Sequence, residues 1–278
     1  MMARAFRWHV CMILLCAPGS VALAAGGDPI DAAFILDAGT FFMSTDTRVR
    51  VDGERTGVLG TDFNFDETFG LGDADRFRID AFWRLADRHA LRAMYFENER
   101  SGTRSVMRDL RFGDQTFPVG ATASARSEFT VAQLSYDYAF VKRENYELAG
   151  SLGVHMLDIH LSLDGTVSAQ DGSLSRTIEA SARTSAPLPV VGLRGIWQWP
   201  ARFYVTAQAQ YFYLRADPYS GRIADLKAAL VWQATDHVGI GLGYNEFALR
   251  FDVDDEERFS GRLRWDYSGP VAFVSIMF

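Results

Sequence analysis

One pattern limits what this chain can fold into. Apolar and polar residues alternate at every second position, run after run, from about residue 33 to residue 278. Successive side chains on a strand point to opposite faces, so each run reads as a strand with one apolar and one polar face. In 76–85, Phe77, Ile79, Ala81, Trp83 and Leu85 share a face, and Arg78, Asp80 and Arg84 share the other. In 129–140, Ala132, Leu134, Tyr136, Tyr138 and Phe140 oppose Gln133, Ser135 and Asp137. Runs 203–214, 223–234 and 238–245 repeat the arrangement, the last setting Val238, Ile240, Leu242 and Tyr244 against three glycines and Asn245. Beyond the first residues, no stretch has the ~20 apolar residues of a spanning helix. Mean hydropathy is −0.04, as expected if each strand hides polar residues inside a closed sheet and shows apolar ones to lipid.

The apolar faces often end in rings: Trp83, Tyr138, Phe140, Trp197, Trp199 and Trp232. Aromatic residues near strand ends suit the girdles at two membrane interfaces. The links alternate in length. Short ones fall at 86–88, 142–145, 199–201 and 235–237, and longer polar ones near 53–75, 111–120, 165–186, 216–221 and 252–258. These features predict an all-β fold, an antiparallel transmembrane up-and-down β-barrel of ten strands. The expected strands are 33–51, 76–86, 89–110, 121–141, 146–164, 188–199, 201–215, 222–234, 237–251 and 258–278. Eight and twelve strands are the alternatives, twelve if TGVLGTDFNFDETFGLG within 53–75 hides a further pair.

Two strands change phase. In 148–163 the apolar set passes from Leu148, Leu152, Val154 and Met156 to Ile159, Leu161 and Leu163. A bulge or an exit from the bilayer explains such a switch. In the last strand, Leu263, Trp265 and Tyr267 give way to an even-numbered set after Ser268-Gly269-Pro270. Pro cannot donate to a ladder, so this reads as a bulged closing strand with both apolar sets facing outward.

The chain begins MMARAFRWHVCMILLCAPGSVALAAGG. Arg4 and Arg7, an apolar run from Val10 to Cys16, and small residues at Ala22 and Ala24 form the three parts of a secretory leader. The expected division is a signal peptide over 1–24 and a barrel over 25–278. Cys11 and Cys16 both lie in the leader, so the remainder has no disulfide and no Cys-based zinc or haem site. Losing the leader takes the net charge from −7 to −9 and leaves no basic footprint for nucleic acid.

The polar faces carry Asp37, Arg78, Asp80, Arg84, Arg92, Asp137, Arg194, Asp225, Lys227, Arg264 and Asp266. Charges of both signs inside a narrow barrel must pair, because a lone buried charge is costly. Ten strands leave little free interior. The expectation is a lumen closed by ion pairs and hydrogen bonds.

Chemistry-bearing motifs are few. Asp158-Ile159-His160 puts a carboxylate and an imidazole on one face of a strand, close enough to activate water. The pair resembles one half of the omptin proteases, which add a second acidic pair across the barrel mouth; Asp252 with Asp254, or Asp73 with Asp75, are the acids available here. His160-Leu161-Ser162 resembles the nucleophile segment of outer-membrane lipid A deacylases, although Leu163-Asp164-Gly165 departs from that pattern. A polar rim pair is the simpler reading of both. His155 reads as a packed or lumen residue, and no metal or cofactor site is expected.

The final residues, YSGPVAFVSIMF, set Ala272, Val274, Ile276 and Phe278 on one face. This resembles the insertion signal of outer-membrane barrels and implies the barrel assembly machinery as a partner. Through DTRVRVDG, GTDFNFDETFGL, FRIDAFWRLADRHALRAMYF, FGDQTFPVGA, APLPVVGLRG, DHVGIGLGYN and WDYSGPVAFVSIMF, the chain is similar to an uncharacterised group of proteobacterial small outer-membrane barrels of porin-like or OmpA-like type. The resemblance implies the cell outer membrane of a Gram-negative bacterium, with lipids and lipopolysaccharide as partners. It implies no activity for any residue. The expected role is non-catalytic: structural, narrow channel or surface binding. The alternative is a hydrolase using Asp158, His160 and Ser162 at the outer rim.

Overall fold

The computed structural model describes residues 27–168, 175–216, 219–255 and 259–278. The expected leader lies outside them. The strands are β1 (Phe34–Val51), β2 (Phe63–Asn64), β3 (Ala74–Ala86), β4 (His89–Ser105), β5 (Leu110–Phe112), β6 (Gln115–Phe117), β7 (Thr122–Lys142), β8 (Tyr146–Ser168), β9 (Ser175–Trp199), β10 (Phe203–Ala216), β11 (Tyr219–Gln233), β12 (Val238–Asp255) and β13 (Phe259–Met277), with one helix, α1 (Phe65–Phe69). Ten of them form a sequential antiparallel meander that closes when β13 pairs with β1. Closure removes the open edges on which β-proteins aggregate.

The ten strands fall where alternation placed them, with four corrections. First, 165–186 is mostly strand, not loop: β8 and β9 continue in unbroken register to Ser168↔Ser175. Second, 53–75 hides no spanning pair. It holds β2, which pairs only with the end of β1, and α1. The Asn64 side chain accepts from Glu67 N at 2.9 Å to start α1, and Gly70 ends it at φ 68°, a left-handed conformation that suits Gly. Third, the strand expected over 89–110 stops at Ser105, and β5 and β6 make a small separate hairpin. Fourth, the closing strand has no bulge at 268–270. Its register with β12 is constant from Val238↔Ile276 to Asp255↔Phe259.

The fourth correction changes the interior. Because the phase of β13 never shifts, Leu263, Trp265 and Tyr267 face inward and are buried, whereas Arg264 and Asp266 face outward. The apolar set changes face because the surroundings change. Near the short turns the outside is apolar, with Ala272, Val274, Ile276 and Phe278 outward; further along it is polar and the inside is apolar. β8 follows the same rule. Leu148, Leu152 and Met156 are exposed outward, and beyond them Ile159, Leu161 and Leu163 are buried inward without any slip in the β8–β9 pairing. The sheet's register shifts lie instead near the short turns, at Arg84/Ala86 and Ala139/Val141.

Two rows of outward rings bracket an aliphatic band. Trp83, Tyr138, Phe140, Trp197, Trp199, Phe203 and Trp232 lie toward the short turns, and Phe42, Phe77, Tyr95, Tyr211, Tyr213 and Tyr244 toward the long links. Phe203 to Tyr213 is about 34 Å of strand, or about 26 Å across after a tilt of roughly 40°. That matches a membrane-crossing band of about 25 Å.

Candidate functional site

The interior is layered. At the short-turn end, residues 27–33 tuck into the barrel. Asp28 Oδ1 accepts from Ile30 N at 2.8 Å, and Ile30 is buried in the core.

Above this lies a belt of ion pairs. Glu147 is fully buried and accepts from Arg84 Nη1 at 2.8 Å and from Arg194 Nη2. Arg194 also meets Asp137 at 2.9 Å, and Arg92 grips the same carboxylate through Nε and Nη2 at 2.6 and 3.1 Å. Ser151 Oγ donates to Asp137 at 2.7 Å. A second group joins Arg78 to Asp80 through two nitrogens at 2.8 and 3.0 Å. Lys227 reaches the same Asp80 at 2.8 Å. Asn245 bridges the guanidinium of Arg78 and Asp225, donating to Asp225 at 2.7 Å. Arg78, Arg84, Arg92, Arg194 and Lys227 are matched by Asp37, Asp80, Asp137, Glu147 and Asp225, so the belt balances. A cavity of about 90 Å³ remains beside Asp37, Asp80, Arg92 and Lys227.

The third layer is a plug of rings. Trp265 stacks on Phe129 at 4.2 Å and 11°, and Tyr267 stacks on Phe247 at 4.7 Å and 7°. Phe41 and Phe96 meet Tyr267 edge-on at 5.6 and 5.4 Å. The Arg78 guanidinium lies 5.6 Å from the Phe41 ring centroid, so charge and rings are joined rather than merely adjacent.

Above the plug the barrel opens into a mouth of about 600 Å³. Val49, Ile159, Leu161, Ala182 and Leu263 contribute its apolar wall, and Arg50, Asp52, Arg55, Asp114, Arg183 and Arg262 its charged rim. The links pack over one side. Phe63, Phe65, Phe69, Phe112 and Phe117 are buried in the same continuous core as the plug. Asp114 accepts from Arg55 N and Nε, each at 3.1 Å, and so ties residues 53–58 to the turn of β5–β6. Burial alone would raise its pKa, but these bonds hold it below the ordinary carboxylate value. Asp66, in α1, is raised by burial despite the Arg100 guanidinium at 2.9 Å.

Nine of the eleven lumen residues expected from sequence meet in the belt. Arg264 and Asp266 do not, because they stand outside the wall. Asn245 and Gln208, which alternation sets on the polar faces, join the belt, Gln208 accepting from Arg92; Glu147 was missed. Glu147 sits on the inward odd-numbered face of β8 with Ala149 and Ser151, so period two could have found it. Asp158, His160 and Ser162 share one strand face, but that face is the outer wall, away from the mouth. Asp158 is held by Arg183 at 3.1 Å. Of the acids available for a second pair, Asp252 binds Arg262 at 2.5 Å, Asp73 and Asp75 are exposed at the start of β3, and the side chain of Asp254 lies outside the described residues. Among the described residues no His, Cys, Asp and Glu group has metal-ligand geometry.

This is the fold of the small outer-membrane β-barrel proteins, with a charge-balanced, ring-plugged interior. The outer membrane protease OmpT from Escherichia coli superposes with a TM-score of 0.57 and 12% identity over 90% of this chain and 98% of that one. At that identity the likeness shows the fold alone. Looser likenesses are to the Pseudomonas putida toluene transporter TodX, TM-score 0.35 at 9% identity over 94% and 95% of the chains, and Neisserial surface protein A, 0.27 at 11% over 89% and 98%. No protein-family model and no curated protein sequence matches the chain.

Proposed function

We propose that this chain is a non-catalytic outer-membrane barrel that binds a small amphipathic ligand in its outer mouth and does not conduct through its lumen. The observation that supports this is the stacked plug. Trp265, Phe129, Tyr267 and Phe247 lie between the lower cavity and the mouth, and the ion-paired belt fills the space beneath. A mouth of this size, apolar within and charged at the rim, has the character of a ligand pocket. The outward placement of Asp158, His160 and Ser162 weighs against a hydrolytic centre, because an exposed strand face neither encloses a substrate nor excludes water.

Planar-bilayer recording of the refolded chain tests the sealed lumen. No large stable conductance steps are expected, and such steps would overturn the proposal. Ala182→Trp, which fills the mouth, is expected to abolish quenching of a fluorescent fatty-acid probe bound by the parent protein. His160→Ala is expected to leave surface proteolysis and lipid A acylation unchanged.

A further inference from the structure

The wall of the barrel splits between β9 and β10. Their pairing starts at the short turn, with Trp199 opposite Phe203, and ends at Val191 opposite Tyr211. Both strands run on. β10 continues to Ala216 paired with β11 alone, and β9 extends back to Ser175 paired with β8 alone. Two prolines explain the split. Gln198 N donates to Asn145 O, on the β8 side, at 2.8 Å. Amides alternate in direction along a strand, and the β8–β9 register is unbroken, so the odd-numbered residues of β9 face β10. In the same register Pro189 and Pro187 would stand opposite Tyr213 and Arg215, and neither has an N–H to give. The pairing stops where the donors stop.

Beyond the prolines the edge is free. Thr177, Glu179, Ser181, Arg183 and Ser185 turn their N–H and C=O groups to the side that β10 has left, and among the described residues no strand or backbone bond reaches them. Thr177 to Ser185 is about 27 Å of strand. The same stretch borders the mouth. Ala180, Ser181, Ala182, Arg183 and Thr184, five consecutive residues, all line it. Side chains alternate between faces, so a cavity touching all five reaches around the edge of the strand. Ala180 and Ala182 are small, which leaves Ile159, Leu161, Phe251 and Leu263 as an apolar wall beside an open edge.

We propose that the mouth takes an extended peptide, added as a strand to the free edge of β9, with its alternate apolar side chains turned into the mouth and the others toward water. This names the ligand class for the mouth and rests on the ligand-pocket reading above. An unpaired strand edge is a template for another strand. Main-chain bonds along such an edge supply affinity, and pockets for alternate side chains supply specificity. A lipid has no row of donors and acceptors to match it. Ser185 is six residues beyond Val191, about 20 Å along the strand and about 15 Å along the membrane normal after a tilt of roughly 40°. The edge therefore stands clear of the outer rings, open to a peptide arriving from the outer side.

The test uses the full chain, refolded in neutral detergent. The probes are a short fluorescent peptide alternating Val and Thr, the same peptide N-methylated at every Val or at every Thr, and the fluorescent fatty acid. Only one edge of the peptide can face β9. One methylated form is therefore expected to bind like the plain peptide and the other about tenfold or more weakly. Glu179→Pro with Ser181→Pro removes two donors from the free edge and none from the β8 ladder. It is expected to keep heat-modifiable migration and to weaken the plain peptide tenfold or more. Equal binding of the plain and both methylated peptides overturns the proposal, and so does undiminished peptide binding by the folded double variant. A dimer of the parent that the double variant dissolves overturns it too, since the edge would then belong to a second copy. Fatty-acid binding without peptide binding overturns the peptide alone, whereas binding of neither overturns the mouth as a ligand site. Should the double variant not fold, the comparison of peptides on the parent decides alone.

Discussion

Glu147 is the residue whose removal tests the belt most directly. It is fully buried, and it is the carboxylate that Arg84 and Arg194 share. Glu147→Ala leaves Arg84, whose side chain is 7% exposed, without its carboxylate and Arg194, 8% exposed, with Asp137 alone. Asp137 is already gripped by Arg92, so it cannot fully replace the lost charge. Removing one partner of a buried ion pair costs about 3–5 kcal/mol, because the desolvated charge left behind is not compensated. Glu147→Gln keeps the shape and one acceptor oxygen but leaves the belt one positive charge in excess, so it is expected to cost less, about 1–3 kcal/mol. Replacing the pair together, Arg84→Met with Glu147→Leu, restores neutrality and leaves Arg194–Asp137 in place. The double variant is expected within about 1 kcal/mol of the parent. Urea unfolding of the barrel in lipid vesicles, followed by tryptophan fluorescence, measures all three. A loss below about 1 kcal/mol for Glu147→Ala, with the double variant no better, would refute the reasoning, because it would mean that water screens the belt as it screens surface pairs.

Three further outcomes follow from the same structure. A variant retaining only Trp265 is expected to resist quenching by brominated lipids, whereas variants retaining only Trp83, Trp197, Trp199 or Trp232 are quenched; quenching of Trp265 would place it outside the wall. Ala201 has φ 68° in the β9–β10 turn, a region that costs a residue with a Cβ roughly 1–2 kcal/mol, so Ala201→Gly is expected to stabilise the barrel slightly in the same urea assay and a destabilisation would contradict the turn geometry. Asp114 has a lowered pKa, so its contribution is present above its unfolded value of 3.8 and lost as pH falls through the lower folded one; the hydrogen-exchange protection of residues 53–58, taken relative to the intrinsic amide rate at each pH, is expected to fall on acidification, and Asp114→Asn to remove most of that change in protection.

Most of the spanning architecture was legible because a barrel strand is read locally. Alternation at period two needs no partner to be recognised, so the inward charges from Arg78 to Lys227 and the outward tryptophans were placed correctly from neighbours alone. The short elements 63–69 and 110–117 were not legible. Their phenylalanines, Phe63, Phe65, Phe69, Phe112 and Phe117, are buried against the core rather than by any period of their own. Glu147 was missed although its position is periodic, because Tyr146 and Leu148 beside it draw attention to the apolar face.

Alternation, with rings at the strand ends and links of alternating length, predicted a closed antiparallel sheet with a polar interior and an apolar girdle. It could not determine which face is inside once a strand leaves the bilayer. A bulge and a membrane exit write the same phase change into a sequence, since either one turns the apolar set by a single residue. Only the pairing across the sheet separates them. The constant register of β13 with β12 turned Trp265 and Tyr267 inward as a plug and Arg264 outward into a row with Arg48, Arg222 and Arg250. The physical reason is that residues opposed across strands, about 5 Å apart in space, lie tens or hundreds of positions apart in the chain.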